Sequence, residues 1–163
     1  MTTLNTTPPV LPPPTSSFNP IDENTSAIAR EIAQEARDSL SSFCMNVCGA
    51  KCCKVGKLLL QSDEEVETIS GAENIGQYLE DGTLERTQNG FMTYDLEKQP
   101  CQHLKESVLC SIHKSEKKPT ICNDYPLFLT KQYVIASEQC LGVVSGELDT
   151  FIAKIKALGY KKF

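Results

Sequence analysis

A chain of 163 residues with 40% hydrophobic side chains has room for one domain and a tail, and a second full domain is not expected. Its formal net charge of −5 disfavours nucleic acid as a partner, because binding that backbone needs a basic face to displace counterions. No stretch approaches the roughly 18 apolar residues of a membrane span, and the N-terminal segment lacks the charged and continuous apolar regions of a secretory signal. The expectation is a cytoplasmic protein with no membrane association.

Residues 1–21 are rich in Pro, Thr and Ser, so they cannot bury enough surface to offset ordering and read as a disordered tail. Their PPVLPPP segment suits a polyproline II ligand for a protein partner, yet no basic residue flanks it to orient docking. A helix is expected from Thr25 or Ser26, with Ile28, Ile32, Ala36 and Leu40 on its apolar face. If that path persists, Cys44, Cys48 and Cys52 fall at i, i+4 and i+8 on one side, although Gly49 should loosen it.

Residues 57–61 read as a strand, and Ser62, Asp63, Glu64 and Glu65 form a capping-box signature for a helix through Val66 and Ile69 that Gly71 stops. A further helical piece around Ile75, Tyr78 and Leu79 ends at Asp81 and Gly82. Residues 91–96 and 133–136 read as strands. The chain closes with a helix from about Glu147, its face made of Leu148, Phe151, Ile152, Ile155 and Leu158, stopped by Gly159. The fold class expected is α+β: a small, cysteine-rich, metal-stapled domain over residues 22–163, with terminal helices and short antiparallel strands.

Eight cysteines carry the chemistry: Cys44, Cys48, Cys52, Cys53, Cys101, Cys110, Cys122 and Cys140. Four within CMNVCGAKCC are too dense for ordinary core packing and mark either disulfides or thiolate-bound metal. A reducing cytosol favours metal; an exported or hyperthermophilic chain would favour disulfides. Thiolates suit zinc, iron-sulfur clusters and copper(I), and a closed site takes four, so eight allow two sites or one cluster with spares. Cys52 and Cys53, being adjacent, point in different directions and are poorly placed to share one mononuclear ion.

CMNVCGAKCC followed by CQHL, CSIH, KPTIC and SEQC resembles the YkgJ-type CxxCxxxCC cysteine-cluster family of zinc- or iron-chelating domains. The family pattern CxxxCGxCC corresponds to Cys44, Cys48, Gly49, Cys52 and Cys53. Its Cys-x-x-Leu corresponds to Cys101 with Leu104, and its Cys-x-Ile-aromatic to Cys110 with Ile112 and His113. Its Arg-Pro-x-x-Cys corresponds to Lys118, Pro119 and Cys122, followed by Tyr125 and Pro126, with Cys140 as the last cysteine. Two departures stand out: one extra residue lies between Gly49 and the cysteine pair, and Lys118 replaces arginine, keeping charge but losing the planar fork. The resemblance implies metal binding by these cysteines, and a related module occurs in flagellin lysine methylases. No glycine-rich nucleotide loop supports a methyltransferase here.

The cofactor expected is therefore an iron-sulfur cluster or zinc. Cys52, Cys53, Cys101, Cys110 and Cys122 lead the ligand set, with Cys44 and Cys48 next, while Cys140 is equally explained as a buried structural thiol. His103 and His113 stand at chelate spacing from cysteines, but enough thiols are present without them, and His113 occupies a packing position of the family. Asp63, Glu64 and Glu65 are explained by helix capping, and no Ser/His/Asp grouping can be assembled. No independent catalytic constellation is visible. A metal-binding protein is the leading reading, beside a redox or accessory component of a protein-modifying enzyme and a zinc-stapled interaction module.

Overall fold

The computed structural model describes residues 20–163, so the expected tail over residues 1–21 lies outside the described residues except at its end. Helix α1 (Glu23–Ser39) begins slightly earlier than the sequence suggests, because Asp22 caps it: its carboxylate accepts from the Thr25 N–H at 2.9 Å and the Thr25 hydroxyl at 2.7 Å. Its fully buried face is Ala29, Ala33 and Ala36, continuing to Leu40, while Ile28 is 40% exposed. Of the predicted face, Ala36 and Leu40 are buried and Ile32 packs against the core, while Ile28 gives way to Ala29 and Ala33.

Next come a short helical turn α2 (Ser41–Phe43), the cysteine-bearing turns described below, and strand β1 (Lys57–Leu60). Helix α3 (Asp63–Ser70) starts as expected, with Ser62 Oγ accepting from the Glu65 N–H and Gly71 at the C-cap. Helix α4 (Ile75–Asp81) ends at left-handed Gly82. Strands β2 (Leu84–Arg86) and β3 (Met92–Asp95) follow, and β1–β3–β2 make an antiparallel sheet with Leu60 opposite Met92 and Leu84 opposite Tyr94. Leu60, Val66, Ile69, Leu84, Met92, Tyr94 and Leu96 form a core under this sheet, and Cys101 packs against it.

A small hairpin of β4 (Leu104–Lys105) and β5 (Leu109–Cys110) leads to helix α5 (Thr120–Asp124) and strand β6 (Leu127–Leu129). Strand β7 (Tyr133–Ala136) pairs antiparallel with β6. Helices α6 (Leu141–Val144) and α7 (Asp149–Ala157) come next, and β8 (Lys161–Lys162) adds to β7 in parallel. A second core joins α1, β6, β7 and α7 through Ala29, Ala33, Ala36, Leu127, Val134, Leu148, Ile152, Ile155 and Tyr160. Arg37 pins α1 to the chain between α5 and β6, donating to the carbonyls of Asp124 at 3.2 Å and Leu127 at 2.8 Å. The expected α+β class with short antiparallel strands is what the molecule shows; the parallel β7–β8 edge is an addition. Among the described residues no helix is long and apolar enough to cross a membrane.

Candidate metal centre

Beyond α2 the chain opens into a π-turn over Cys44–Cys48, a wide turn with i→i+5 bonding that is rare and recurs at functional sites. It carries Cys44 and Cys48 at its two ends. Gly49, at φ 65°, closes it by donating its N–H to the Cys44 carbonyl, which also accepts from Ala50 at 3.0 Å. Ala50 is buried and left-handed too, at φ 52°, a conformation that costs an L-residue about 1–2 kcal/mol. The extra residue noted between Gly49 and the cysteine pair falls within this reversal. Lys54 Nζ closes the loop on the Gly49 carbonyl at 2.8 Å.

The reversal feeds a 3₁₀ turn, Lys51–Cys53, in which adjacent side chains diverge by about 120°. A continuous helical stripe through Cys44, Cys48 and Cys52 is therefore not formed, and Gly49 is where it breaks. Cys52 still returns within electrostatic reach of Cys44 and Cys48. A hydrogen bond to Cys53 holds the Cys52 thiol protonated, with burial acting in the same direction. That bond favours the Cys53 thiolate against burial, with help from the charges of Lys118 and Lys54. Lys54 escaped the sequence reading; its place directly after Cys53 was the only signal.

Cys140 is 8% exposed at the N-cap of α6, its carbonyl accepting from the Val143 and Val144 N–H groups. It shares the α1–α7 core with Cys44, which packs against the same residues. Burial, and then the neighbouring Cys140, Cys48 and Cys53, push the Cys44 thiol up to about 11. Gly142 permits this approach: a Cβ there would meet Leu40 Cδ2 at 2.7 Å and Cys140 Sγ at 3.6 Å.

The other cysteines come from the hairpin and α5. Cys101 opens the hairpin through a turn closed by Leu104 N–H on its carbonyl, and Cys110 lies directly opposite Leu104 in the β4–β5 pair. Burial raises the Cys101 thiol although the His103 and Leu104 N–H groups point at its sulfur; Cys53 and Cys110 lie in reach. Cys122 sits in the first turn of α5, whose Thr120 N–H is held by Glu65 Oε1 of α3 at 2.8 Å. Burial pushes the Cys122 thiol up to about 12, with Cys53, Cys101 and Cys110 adding to it and Lys118 opposing.

Both nitrogens of His103 are engaged, Nε2 with the Thr68 carbonyl at 2.6 Å and Nδ1 with Ser111 Oγ at 3.1 Å, so the ring ties the hairpin to α3. His113 Nδ1 faces Lys118 Nζ at 3.5 Å. Pro119 is fully buried at the N-cap of α5, in keeping with its stiffening role. Asp63, Glu64 and Glu65 fill the first turn of α3, with Glu65 Oε2 accepting from Gln61 N–H at 2.6 Å.

None of the eight cysteines is in a disulfide. Among the described residues no three Cys, His, Asp or Glu side chains close on one point as a finished metal cage. The donors nonetheless fit a soft metal by their chemistry. They are unpaired, mostly half-buried thiols, and at Cys44 and Cys122 burial opposes the thiolate form that a cation would stabilise.

No curated protein and no solved structure matches the chain significantly. The family model of the CxxCxxCC type, described as "Putative zinc- or iron-chelating domain", matches residues 43–141, a stretch that holds every cysteine and more than half of the sequence, and the chain belongs to that family.

Proposed function

We propose that the protein binds iron, as an iron-sulfur cluster, or zinc, through Cys44, Cys48, Cys52, Cys53, Cys101, Cys110, Cys122 and Cys140. The observation that carries the reading is that eight thiols, none in a disulfide, stand on six separate elements and turns within the stretch that the zinc- or iron-chelating family model matches. Unpaired thiols in this number belong in a reducing compartment, and we assign the protein to the cytoplasm on that ground. A bound cluster would supply electron transfer; bound zinc would supply structural closure alone. The protein's own residues contribute backbone N–H groups at Cys101 and the Lys118 and Lys54 charges near Cys53, all of which favour thiolate.

The test is anaerobic purification without chelator, followed by metal and acid-labile sulfide analysis. Iron with sulfide and visible charge-transfer absorption supports the cluster, and a colourless protein with stoichiometric zinc supports zinc. Neither metal above background rejects metal binding. A redox or accessory role in protein modification is a second reading, favoured by the excess of thiols over the four that one structural site needs. Reversible one-electron reduction supports it, and redox-silent zinc eliminates electron transfer.

A further inference from the structure

We propose that the protein self-associates into a twofold dimer through the apolar patch that Met45 and Val47 of the π-turn make with Leu141 and Val144 of α6. No cysteine takes part in the contact, so it goes beyond the metal-binding function and does not depend on it.

Exposure and packing define the patch. Val47 is 68% exposed and Val144 66%, the highest among the described large hydrophobic residues apart from the C-terminal Phe163, and Met45 and Leu141 are 43% and 40% exposed. The π-turn and α6 pack against each other, which joins the two pairs into one surface. Gly142 is the side of α6 that meets Leu40, and Leu141 and Val144 lie on the other sides of that turn. Four side chains this exposed make an apolar patch on the order of a few hundred Å², the scale at which the largest patch of a monomer is often functional.

Charge selects the occupant. Residues 41–55, on the side of the π-turn, contain Lys51 and Lys54 and no acidic residue, whereas residues 137–149, on the side of α6, contain Glu138, Glu147 and Asp149 and no basic one. Lys51, Glu138, Glu147 and Asp149 are exposed, and Lys54 Nζ is fastened to the Gly49 carbonyl at 2.8 Å. A partner of one charge sign, such as an anionic membrane or a nucleic acid, would meet repulsion from one half of the patch. A second copy turned about a twofold axis lays the lysine half of each protomer on the acidic half of the other, which is the self-complementarity that an isologous contact requires. Because the patch is smaller than the roughly 800 Å² per partner of a standard interface, the dimer is weak and forms as concentration rises.

Sedimentation velocity of the full-length protein, reduced and anaerobic so that no intermolecular disulfide contributes, is run from low concentration up to the millimolar. The mass is expected to rise from the 18.0 kDa monomer toward twice that value. Hydrogen exchange of wild type at the two ends of that range should show protection gained in residues 44–48 and 141–147 and none gained in α4. Val47→Asp and Val144→Asp should each weaken the dimer by about tenfold. Lys51→Glu and Glu138→Lys/Glu147→Lys should each dimerise more weakly alone. Mixed in equal amounts they should dimerise again, because both contacts of the mixed pair then join opposite charges. A monomer at every concentration overturns the proposal and leaves the patch to a different protein or to the N-terminal segment. A dimer whose protection falls outside these residues, or a charge-reversed mixture that stays monomeric, overturns the assigned surface. The exchange measurement uses wild type alone, so poor folding of a variant leaves the decision intact.

Discussion

Glu65 looks in the sequence like half of a capping box, and its carboxylate does more than cap. It accepts from Gln61 N–H and, 55 positions along the chain, from Thr120 N–H two residues before Cys122. Burial works to raise its pKa, but the N–H bonds from Gln61 and Thr120 prevail and hold it below the usual 4.5. Replacing Glu65 by Ala should cost about 1–2 kcal/mol at neutral pH, since each bond to a partly exposed charged acceptor contributes roughly 1 kcal/mol net. The sign of the pH dependence follows from the depressed value: the stabilisation is fully present above about 4.5, the unfolded value, and fades as pH falls through the lower folded value. Urea titrations of wild type and Glu65→Ala should therefore differ at pH 7 and draw together as pH falls below 4.5. A constant gap across that range would show that the carboxylate charge is not the cause.

At the scale of elements, much of the order was legible: β1, α3, α4, β3, β7 and α7 were all expected near where they form. Each has a cap, a stop residue or a clear period, as in Ser62 and Gly71 around α3. The unread pieces, β2, β4, β5, β6, α5, α6 and β8, are two to five residues long, too short for any period to register. For α1 the axis, Ala36, Leu40 and the packing of Ile32 were legible but the burial of Ala29 and Ala33 in place of Ile28 was not, because four-residue spacing of isoleucines looks stronger than that of alanines. The cysteines were legible as a set; their grouping was not, because the reversal at Gly49 and Ala50 depends on two left-handed residues, one of which is not glycine. Gly142 exposes the same constraint from the other side. Gly142→Ala must displace buried Leu40 and should cost about 1–3 kcal/mol. Gly76→Ala, in α4 with open space around it, should instead be neutral or add up to about 1 kcal/mol. Thermal melts of both variants check the contrast; equal effects would mean that α6 gives way without resistance.

The whole molecule has two cores built mainly from residues other than cysteine, with Cys140 within one and Cys44 and Cys101 each packed against one of them. Residues 60–96 supply the buried side chains of one core, while α1 and residues 127–160 supply the other. The segments bearing Cys44 to Cys53 and Cys101 to Cys122 supply few side chains to either. Metal held by thiols from both segments closes a chain loop of nearly fifty residues, and the coupling of metal binding to folding is on the order of 10 kcal/mol for structural zinc in small peptides. Even a fraction of that rivals the whole stability of a typical domain. Removing metal with a strong chelator under reducing conditions should therefore lower the melting temperature, and the loss should be uneven. Amides of α1, α7 and the β1–β3–β2 sheet should keep most of their hydrogen-exchange protection, since their apolar contacts need no thiolate. Amides of residues 44–53 and 101–124 should lose theirs, because those segments contribute little to either core. Cys53→Ser and Cys122→Ser should reproduce both the lower melting temperature and the lower metal content. Unchanged melting and uniform protection after chelation would mean that the fold stands without metal, and the thiols would then be bystanders to it.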